Sequence, residues 1–165
     1  KFERKSLQWD NLSGGSRIMS AINDFDDFIR RKIVKKQTQD KSRAKFLTKE
    51  AENGYLFLQE KIDKMGISQN NANDFIKSCY DILMELIRAK MLLDKYSATG
   101  QGAHEAEVSY LRILGYKETD VRFLDQLRFF RNGMLYYGTR LDKEYAERVI
   151  EFTKQIYPKL KQLIK

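Results

Sequence analysis

The chain has few of the residues that disulfides, metal clusters and rigid turns require. Its 165 residues include one cysteine, one histidine and one proline. A single cysteine forms no internal disulfide, and one cysteine with one histidine excludes a zinc cluster of the usual composition within one chain. We therefore expect no metal and no other cofactor. The low cysteine content fits a reducing compartment, so the expected location is cytoplasmic.

Long apolar runs are also missing, which excludes a bilayer-spanning segment. The opening residues "KFERKSLQWD" include charged and polar side chains too often for the apolar core of a signal peptide. No membrane partner is expected. An apolar content of 42% with 33% charged residues is typical of a soluble globular protein. The length fits one domain over residues 1–165, in which residues 1–15 fray or pack as an extra helical segment.

Sequence patterns of several enzyme classes are absent as well. The chain contains no glycine-rich phosphate loop of the P-loop or Rossmann type and no nucleophile elbow around a serine. These absences exclude the commonest nucleotide-hydrolase, dinucleotide-binding and serine-hydrolase sites. Binding or catalysis must therefore come from side chains placed by the fold.

Helical periodicity dominates the sequence, and strand alternation is almost absent. Apolar spacing predicts a first helix that starts after Ser16 and continues through Ile33. Pro158 should bend the last helix or separate its final turn. Short connections make neighbouring helices antiparallel, so we expect an all-α, up-and-down bundle of five to six helices. The other helices are predicted over residues 40–65, 73–95, 103–114, 118–137 and 141–164.

The predicted helix over residues 73–95 is apolar on more than one face, which is typical of a central helix buried on two sides. Cys79 lies among Phe75, Ile76 and Ile82 in this helix. We interpret it as a small hydrophobic core residue rather than a reactive thiol.

The net charge of +8 is concentrated in residues 30–49, which contain nine basic residues and one acid, Asp40. Outside this stretch, basic and acidic residues are equal in number. A local cationic excess favours an anionic partner, of which nucleic acid is the commonest large one, although a solvated face that aids solubility is the alternative. The predicted phosphate-binding residues of this stretch are Arg30, Arg31, Lys32, Lys35, Lys36, Lys41, Arg43 and Lys45.

The segment "LRFFRNGMLYYG", residues 127–138, places a charged side chain on an apolar helix stripe. Arg131 falls at helical spacing from Leu127, and a guanidinium there is costly unless an anionic or hydrogen-bonding group meets it. One interpretation is a structural ion pair with Asp125 or Asp81. The other is a binding or reactive site.

The motif "RNGMLYYG" resembles the signature of the HEPN domain family, a helical module of prokaryotic toxin–antitoxin, defence and RNA-processing systems. That signature is an arginine, a polar residue that is usually Asn or His, and a histidine four to six residues further on. Arg131 and Asn132 match the first two positions. Tyr136 stands where the histidine is expected, and Gly138 stands where toxin members carry a modifiable tyrosine.

The resemblance extends over roughly residues 40–160. "NDFIKSCYDILMELIRAKMLLDKY" is similar to the long central helix of the family, and "GQGAHEAEVSYLRILGY" is similar to the short helix that follows it. The penultimate helix then carries the motif, and an amphipathic helix closes the domain. The resemblance therefore implies a HEPN-like helical bundle.

In active members the resemblance implies metal-independent RNA cleavage, in which the ribose 2′-OH attacks the adjacent phosphate. The arginine and histidine stabilise charge and move protons. Tyr136 is a poor replacement because the ordinary tyrosine pKa is about 10, so it rarely acts as a base at neutral pH. His104, from the same or a second chain, is the alternative proton-transfer group. Residues 131 and 136 lie about 140° apart on a helix, so a joint site needs a distorted helix end or a second subunit.

Three hypotheses follow from the motif and its departure from the family pattern. The first is a HEPN-like protein that binds RNA or a nucleotide without efficient cleavage, as a homodimer through the helix over residues 120–137. The second is an active endoribonuclease with Arg131, Asn132 and either His104 or Tyr136 as catalytic residues. The third is an interaction partner of a small nucleotidyltransferase in a toxin–antitoxin-like pair. In the first, the contacts to phosphate, ribose or base come from Arg131, Asn132, Tyr136 and Tyr137.

Overall fold

The computed structural model describes residues 21–138 and 140–165, which form six helices and a two-stranded antiparallel sheet. The all-α prediction is confirmed at this level, with the small sheet as an addition. The elements in chain order are α1 (Phe25–Arg30), β1 (Val34–Lys36), α2 (Lys41–Met65), α3 (Ala72–Leu93), β2 (Tyr96–Ala98), α4 (Ala103–Ile113), α5 (Glu118–Tyr137) and α6 (Lys143–Leu163).

The boundaries of the long helices follow local capping chemistry. Asp40 precedes α2, and its side chain accepts a hydrogen bond from the backbone N of Arg43 at 2.9 Å. Gly138 ends α5 with φ 65°, a left-handed conformation that glycine adopts without strain. The predicted ranges of α2 to α5 are thereby confirmed to within two residues.

The last helix contains Pro158 but continues from Lys143 to Leu163. Of the two effects predicted for Pro158, separation of a final turn is wrong, and a bend of the helix stays a prediction. Proline removes one backbone hydrogen bond, yet Ile156 and Leu160 on either side of it are buried in the core. Burial of this apolar face holds the last turns in the helical path.

The first helix differs most from its prediction. Residues 21–24 are not helical, α1 ends at Arg30 rather than Ile33, and the predicted start at Ser16 lies outside the described residues. Lys32 takes a left-handed φ of 59°, which turns the chain into β1. Pairing of β1 with β2 satisfies the backbone there instead of a helix. Three-residue strands are too short to show an alternating pattern in the sequence.

Helix α3 is the centre of the bundle, as predicted, and packs against α2, α4, α5 and α6. One hydrophobic core contains buried side chains from all six helices. Cys79 is fully buried in it, and burial raises the pKa of its thiol to about 11. The interpretation of Cys79 as a hydrophobic core residue is confirmed.

None of the helices has the combination of length and apolar character that a membrane crossing requires, within the part of the chain that the structure describes.

Candidate nucleic-acid interface

A cavity of about 530 Å³ opens between the end of α1, the loop before α4 and the second half of α5. Small-molecule sites in proteins commonly occupy about 300–1,000 Å³, so the cavity has room for one nucleotide unit. We call it the Arg31–Arg128 pocket. Its lining residues are Arg31, Gln101, Gly102, Glu105, Arg128 and Asn132.

Helix α5 contributes Arg128 and Asn132, which are four residues apart and therefore lie on the same side of the helix. The Nε atom of Arg128 donates to Oδ1 of Asp125 at 2.7 Å, and Asp125 is buried. This ion pair fixes the guanidinium but uses only its Nε. The two terminal nitrogens of Arg128 are therefore free to donate to a ligand.

The end of α1 contributes Arg31, the capping residue that directly precedes the left-handed turn at Lys32. Its guanidinium carbon lies 5.8 Å from the centre of the Phe28 ring. The neighbouring Arg30 forms an ion pair with Asp27, whereas Arg31 has no ion pair within residues 21–138 and 140–165. The turn thus brings an unneutralised cation to the pocket.

The wall opposite α5 consists of Gln101, Gly102 and Glu105, at and just before the start of α4. Gly102 has φ +89°, and a Cβ atom there would lie 3.2 Å from Cδ1 of Ile33. The backbone conformation favours glycine, and a larger residue would also press on the Ile33 side chain. The wall therefore adds a carboxylate and an amide to a pocket that also contains two guanidinium groups.

Two ion pairs beside the pocket join α3 to α4 and α5. The first is Arg88–Glu107 and the second is Arg131–Asp81, and we call the two pairs together the charged seam. Arg88 donates through Nε and Nη2 to the two carboxylate oxygens of Glu107, each at 2.8 Å. The Glu107 side chain is only 4% exposed. This hydrogen-bonded pairing raises the pKa of Arg88.

His104 lies next to this first pair. Its Nδ1 is 3.6 Å from Oε2 of Glu107, and the imidazole itself is exposed. The phenol of Tyr80 is buried nearby, and its pKa is raised first by burial and then by the negative charge of Glu107. Among the described side chains, no hydrogen bond or ion pair joins His104 to Arg131.

The second pair of the seam involves the motif arginine. The Nε of Arg131 is 3.5 Å from Oδ1 of Asp81, close enough for an ion pair but without hydrogen-bond geometry. Nε and Nη1 of Arg131 are buried and have no hydrogen-bond partner in the described part of the chain. Of the two acids predicted for it, Arg131 lies beside Asp81, while Asp125 pairs with Arg128.

The structure therefore separates residues that the sequence predicted to act together. Asn132 lines the pocket, whereas its neighbour Arg131 is not among the lining residues. Arg31 is the one residue of the basic stretch that lines the pocket. Tyr136 and Tyr137 lie in the last turn of α5, and the predictions for their side chains fall outside what the structure describes. The remaining basic residues are exposed on α1, the following turn, β1 and the start of α2: Arg30, Lys32, Lys35, Lys36, Lys41, Arg43 and Lys45.

Four pocket residues were missed from the sequence: Gln101, Gly102, Glu105 and Arg128. The spacing of Arg128 and Asn132 was a usable signal, because residues four apart share a helix face. Gln101, Gly102 and Glu105 lie in the loop before α4 and in its first turn. Their approach to Arg31 depends on the turn after α1, which the sequence pattern did not predict.

Three or more His, Cys, Asp or Glu side chains placed to hold a metal ion do not occur among residues 21–138 and 140–165. Comparisons with protein-family models, with curated proteins and with solved structures gave no match for this chain. The geometry of the pocket is therefore the guide to the function of this chain.

Proposed function

We propose that this chain is a HEPN-like protein that binds RNA, with one phosphate group held between Arg31 and Arg128. The observation that carries the proposal is the composition of the pocket. It combines Arg31, from the basic stretch, with Asn132, from the "RNGMLYYG" motif. The sequence singled out these two features for independent reasons, and both lie in one cavity.

The chemistry of the lining residues suits a nucleotide. Guanidinium groups donate paired hydrogen bonds to phosphate oxygens, and the charge-assisted bonds are stronger than neutral ones. The Asn132 amide donates and accepts, so it matches a ribose hydroxyl or a phosphate oxygen. The exposed Lys32, Lys35 and Lys36 extend the positive surface next to Arg31 and attract the rest of a polyanion.

The experiment measures the affinity of a fluorescently labelled single-stranded RNA for wild type, Arg31→Ala and Arg30→Ala. Arg31→Ala should weaken binding about tenfold, since a charge-assisted hydrogen bond contributes about 1.5 kcal/mol or more. Arg30→Ala removes the same charge from the adjacent, ion-paired position and should weaken binding less than about twofold. Equal effects of the two variants would exclude the pocket as the binding site.

A salt series adds a second readout. Wild-type affinity should fall steeply between low and moderate salt, because phosphate neutralisation releases counterions from RNA. Affinity that does not depend on salt would contradict the proposal. Asn132→Ala should also weaken binding, with Thr119→Ala, at an exposed neutral position on the same helix, as the control.

The homodimer through α5 stays a prediction that this binding site does not require. Phe129 on α5 has an exposed ring and is the described apolar residue that such an interface would cover. Measuring the mass of wild type and Phe129→Glu in solution tests it separately.

A second candidate function, metal-independent RNA cleavage, is favoured by the position of His104. Oε2 of Glu107, held by Arg88, lies 3.6 Å from Nδ1 of His104, so a small rotation of the exposed imidazole would let Nδ1–H donate to it and leave Nε2 as the base. Nε2 would accept the 2′-OH proton as the 2′-oxygen bonds to phosphorus; the P–O5′ bond breaks, a 2′,3′-cyclic phosphate forms, and the leaving 5′-oxygen takes a proton from water. His104 is adjacent in sequence to Glu105, a lining residue of the pocket.

Incubation of RNA with wild type, His104→Ala and Arg131→Ala in the presence of a chelator tests cleavage. Loss of cleavage in both variants supports the enzyme with the residues predicted from the motif. Loss in His104→Ala alone assigns the reaction to the pocket without Arg131. An intact RNA substrate after incubation with wild type excludes the second candidate and leaves the binding proposal unaffected.

A further inference from the structure

We propose that the Arg31–Arg128 pocket selects guanine, with the Glu105 carboxylate accepting hydrogen bonds from the N1–H and N2–H₂ groups of the base. This inference rests on the proposed RNA binding and deepens it. It starts from an acid that a simple phosphate site would not contain.

Glu105 lines the same cavity as Arg31 and Arg128. A carboxylate repels a phosphate group, so the phosphate must lie towards the two arginines and the nucleoside towards Glu105. In the described part of the chain, Glu105 forms no hydrogen bond or ion pair through its side chain. Both carboxylate oxygens are therefore free to accept from a ligand, and only a ligand with donors can use them.

The four RNA bases differ in the donors of their pairing edges. Guanine has two adjacent donors, N1–H and N2–H₂, which match the two oxygens of one carboxylate. Adenine and cytosine each have a single amino group beside a ring acceptor, and uracil has one N–H between two carbonyl oxygens. A carboxylate thus distinguishes guanine from the other three bases by the number of bonds that it accepts.

Gln101 gives the same wall a hydrogen-bond donor. It lies four residues before Glu105, and both residues line the pocket. The guanine edge presents an acceptor, O6, next to N1–H. A Gln101 amide that donates to O6 beside a carboxylate at N1 and N2 complements the whole edge.

The experiment measures competition of GMP, AMP, CMP, UMP, IMP and dGMP with the labelled RNA. Wild type should bind GMP about tenfold more tightly than UMP or AMP, and IMP, which lacks the N2 amino group, should bind more weakly than GMP. Glu105→Gln should remove the preference for GMP. The matched control is Glu144→Gln, which neutralises the first-turn acid of α6 and should leave the preference unchanged.

The outcomes separate this inference from the proposed function. If Arg31→Ala weakens RNA binding but wild type binds all nucleotides equally, the RNA site stands and guanine selection is wrong. If Glu105→Gln weakens every ribonucleotide equally and does not affect dGMP, the carboxylate binds the ribose and the inference is overturned. If no nucleotide competes and Arg31→Ala behaves like Arg30→Ala, both proposals fail.

Discussion

The charged seam and the Arg31–Arg128 pocket are both rich in arginine, yet they use it differently. In the seam, Arg88 and Arg131 each face a carboxylate from another helix. In the pocket, Arg31 has no ion pair in the described structure, and Arg128 uses one nitrogen on Asp125. An arginine paired inside the protein helps to fix the packing of helices. An arginine that faces a cavity remains available to an external anion.

Arg128 shares features of both regions, because it is paired inside the protein and also lines the pocket. Its Nε is committed to the buried Asp125, and the rest of the guanidinium belongs to the pocket wall. A carboxylate one turn away on the same helix that fixes an arginine reduces the entropy lost when a ligand binds. Substitutions in the charged seam should mainly change stability, and substitutions in the Arg31–Arg128 pocket should mainly change RNA affinity. Measuring both quantities in each variant tests this difference.

The largest effect on stability is expected for Glu107→Ala. This substitution leaves the partly buried Arg88 guanidinium without its two hydrogen bonds to Glu107. Breaking one side of a buried ion pair should lower the free energy of unfolding by about 3 kcal/mol. For a chain of this size that corresponds to a fall in Tm of about 6–12 °C, measured by thermal denaturation.

The double variant Arg88→Met/Glu107→Leu is the control, because it removes both charges and should restore most of the lost stability. RNA affinity of folded Glu107→Ala should stay close to wild type. A Tm within about 2 °C of wild type in Glu107→Ala would show that the seam does not stabilise the bundle.

The closed interior also predicts a dependence on alkaline pH through Cys79. Burial raises the pKa of this thiol from 9.0 to about 11, so above pH 9 the unfolded chain loses a proton that the folded chain retains. Stability is thus fully present below pH 9 and falls as the pH rises towards 11. The difference between wild type and Cys79→Ala should change by about 1.4 kcal/mol per pH unit in this window, measured by denaturant titration. Parallel curves for the two proteins would contradict it.

Arg128→Ala should affect both stability and binding. It leaves the buried Asp125 carboxylate unpaired, which should cost about 2 kcal/mol, and it should weaken RNA binding about tenfold. Arg128→Ala/Asp125→Ala removes the orphaned charge, so stability should partly recover while RNA affinity stays low. Recovery of both stability and RNA affinity in the double variant would show that Arg128 stabilises the fold and does not bind RNA.

The smallest effect is expected for Arg131→Met. Two buried nitrogens of Arg131 lack hydrogen bonds, and its partner Asp81 is half exposed and remains hydrated without it. An apolar side chain of similar length should change the free energy of unfolding by less than about 1 kcal/mol. RNA affinity should change less than about twofold. A tenfold loss of affinity would instead support the predicted phosphate contact by Arg131.

Much of the fold could be predicted because periodicity, caps and glycines act locally. The start of α2 after Asp40 and the end of α5 at Gly138 follow from single residues and their neighbours. The end of α1 could not be predicted in this way. Ile29 and Ile33 continue the helical spacing, but pairing between β1 and β2 satisfies the backbone there. Local spacing and distant pairing competed at this point, and the distant pairing decided the outcome.

The candidate site shows the same division. The sequence alone determined a mostly helical chain, a buried Cys79, a basic stretch and an arginine on an apolar stripe, because each depends on composition or helical spacing. Only the tertiary structure decided that Arg131 meets Asp81 while Arg31, Glu105 and Asn132 meet at one cavity. These residues come from three separate elements, and their approach depends on the left-handed turns at Lys32 and Gly102. Spacing along one helix carries no information about which side chains of other helices it will contact.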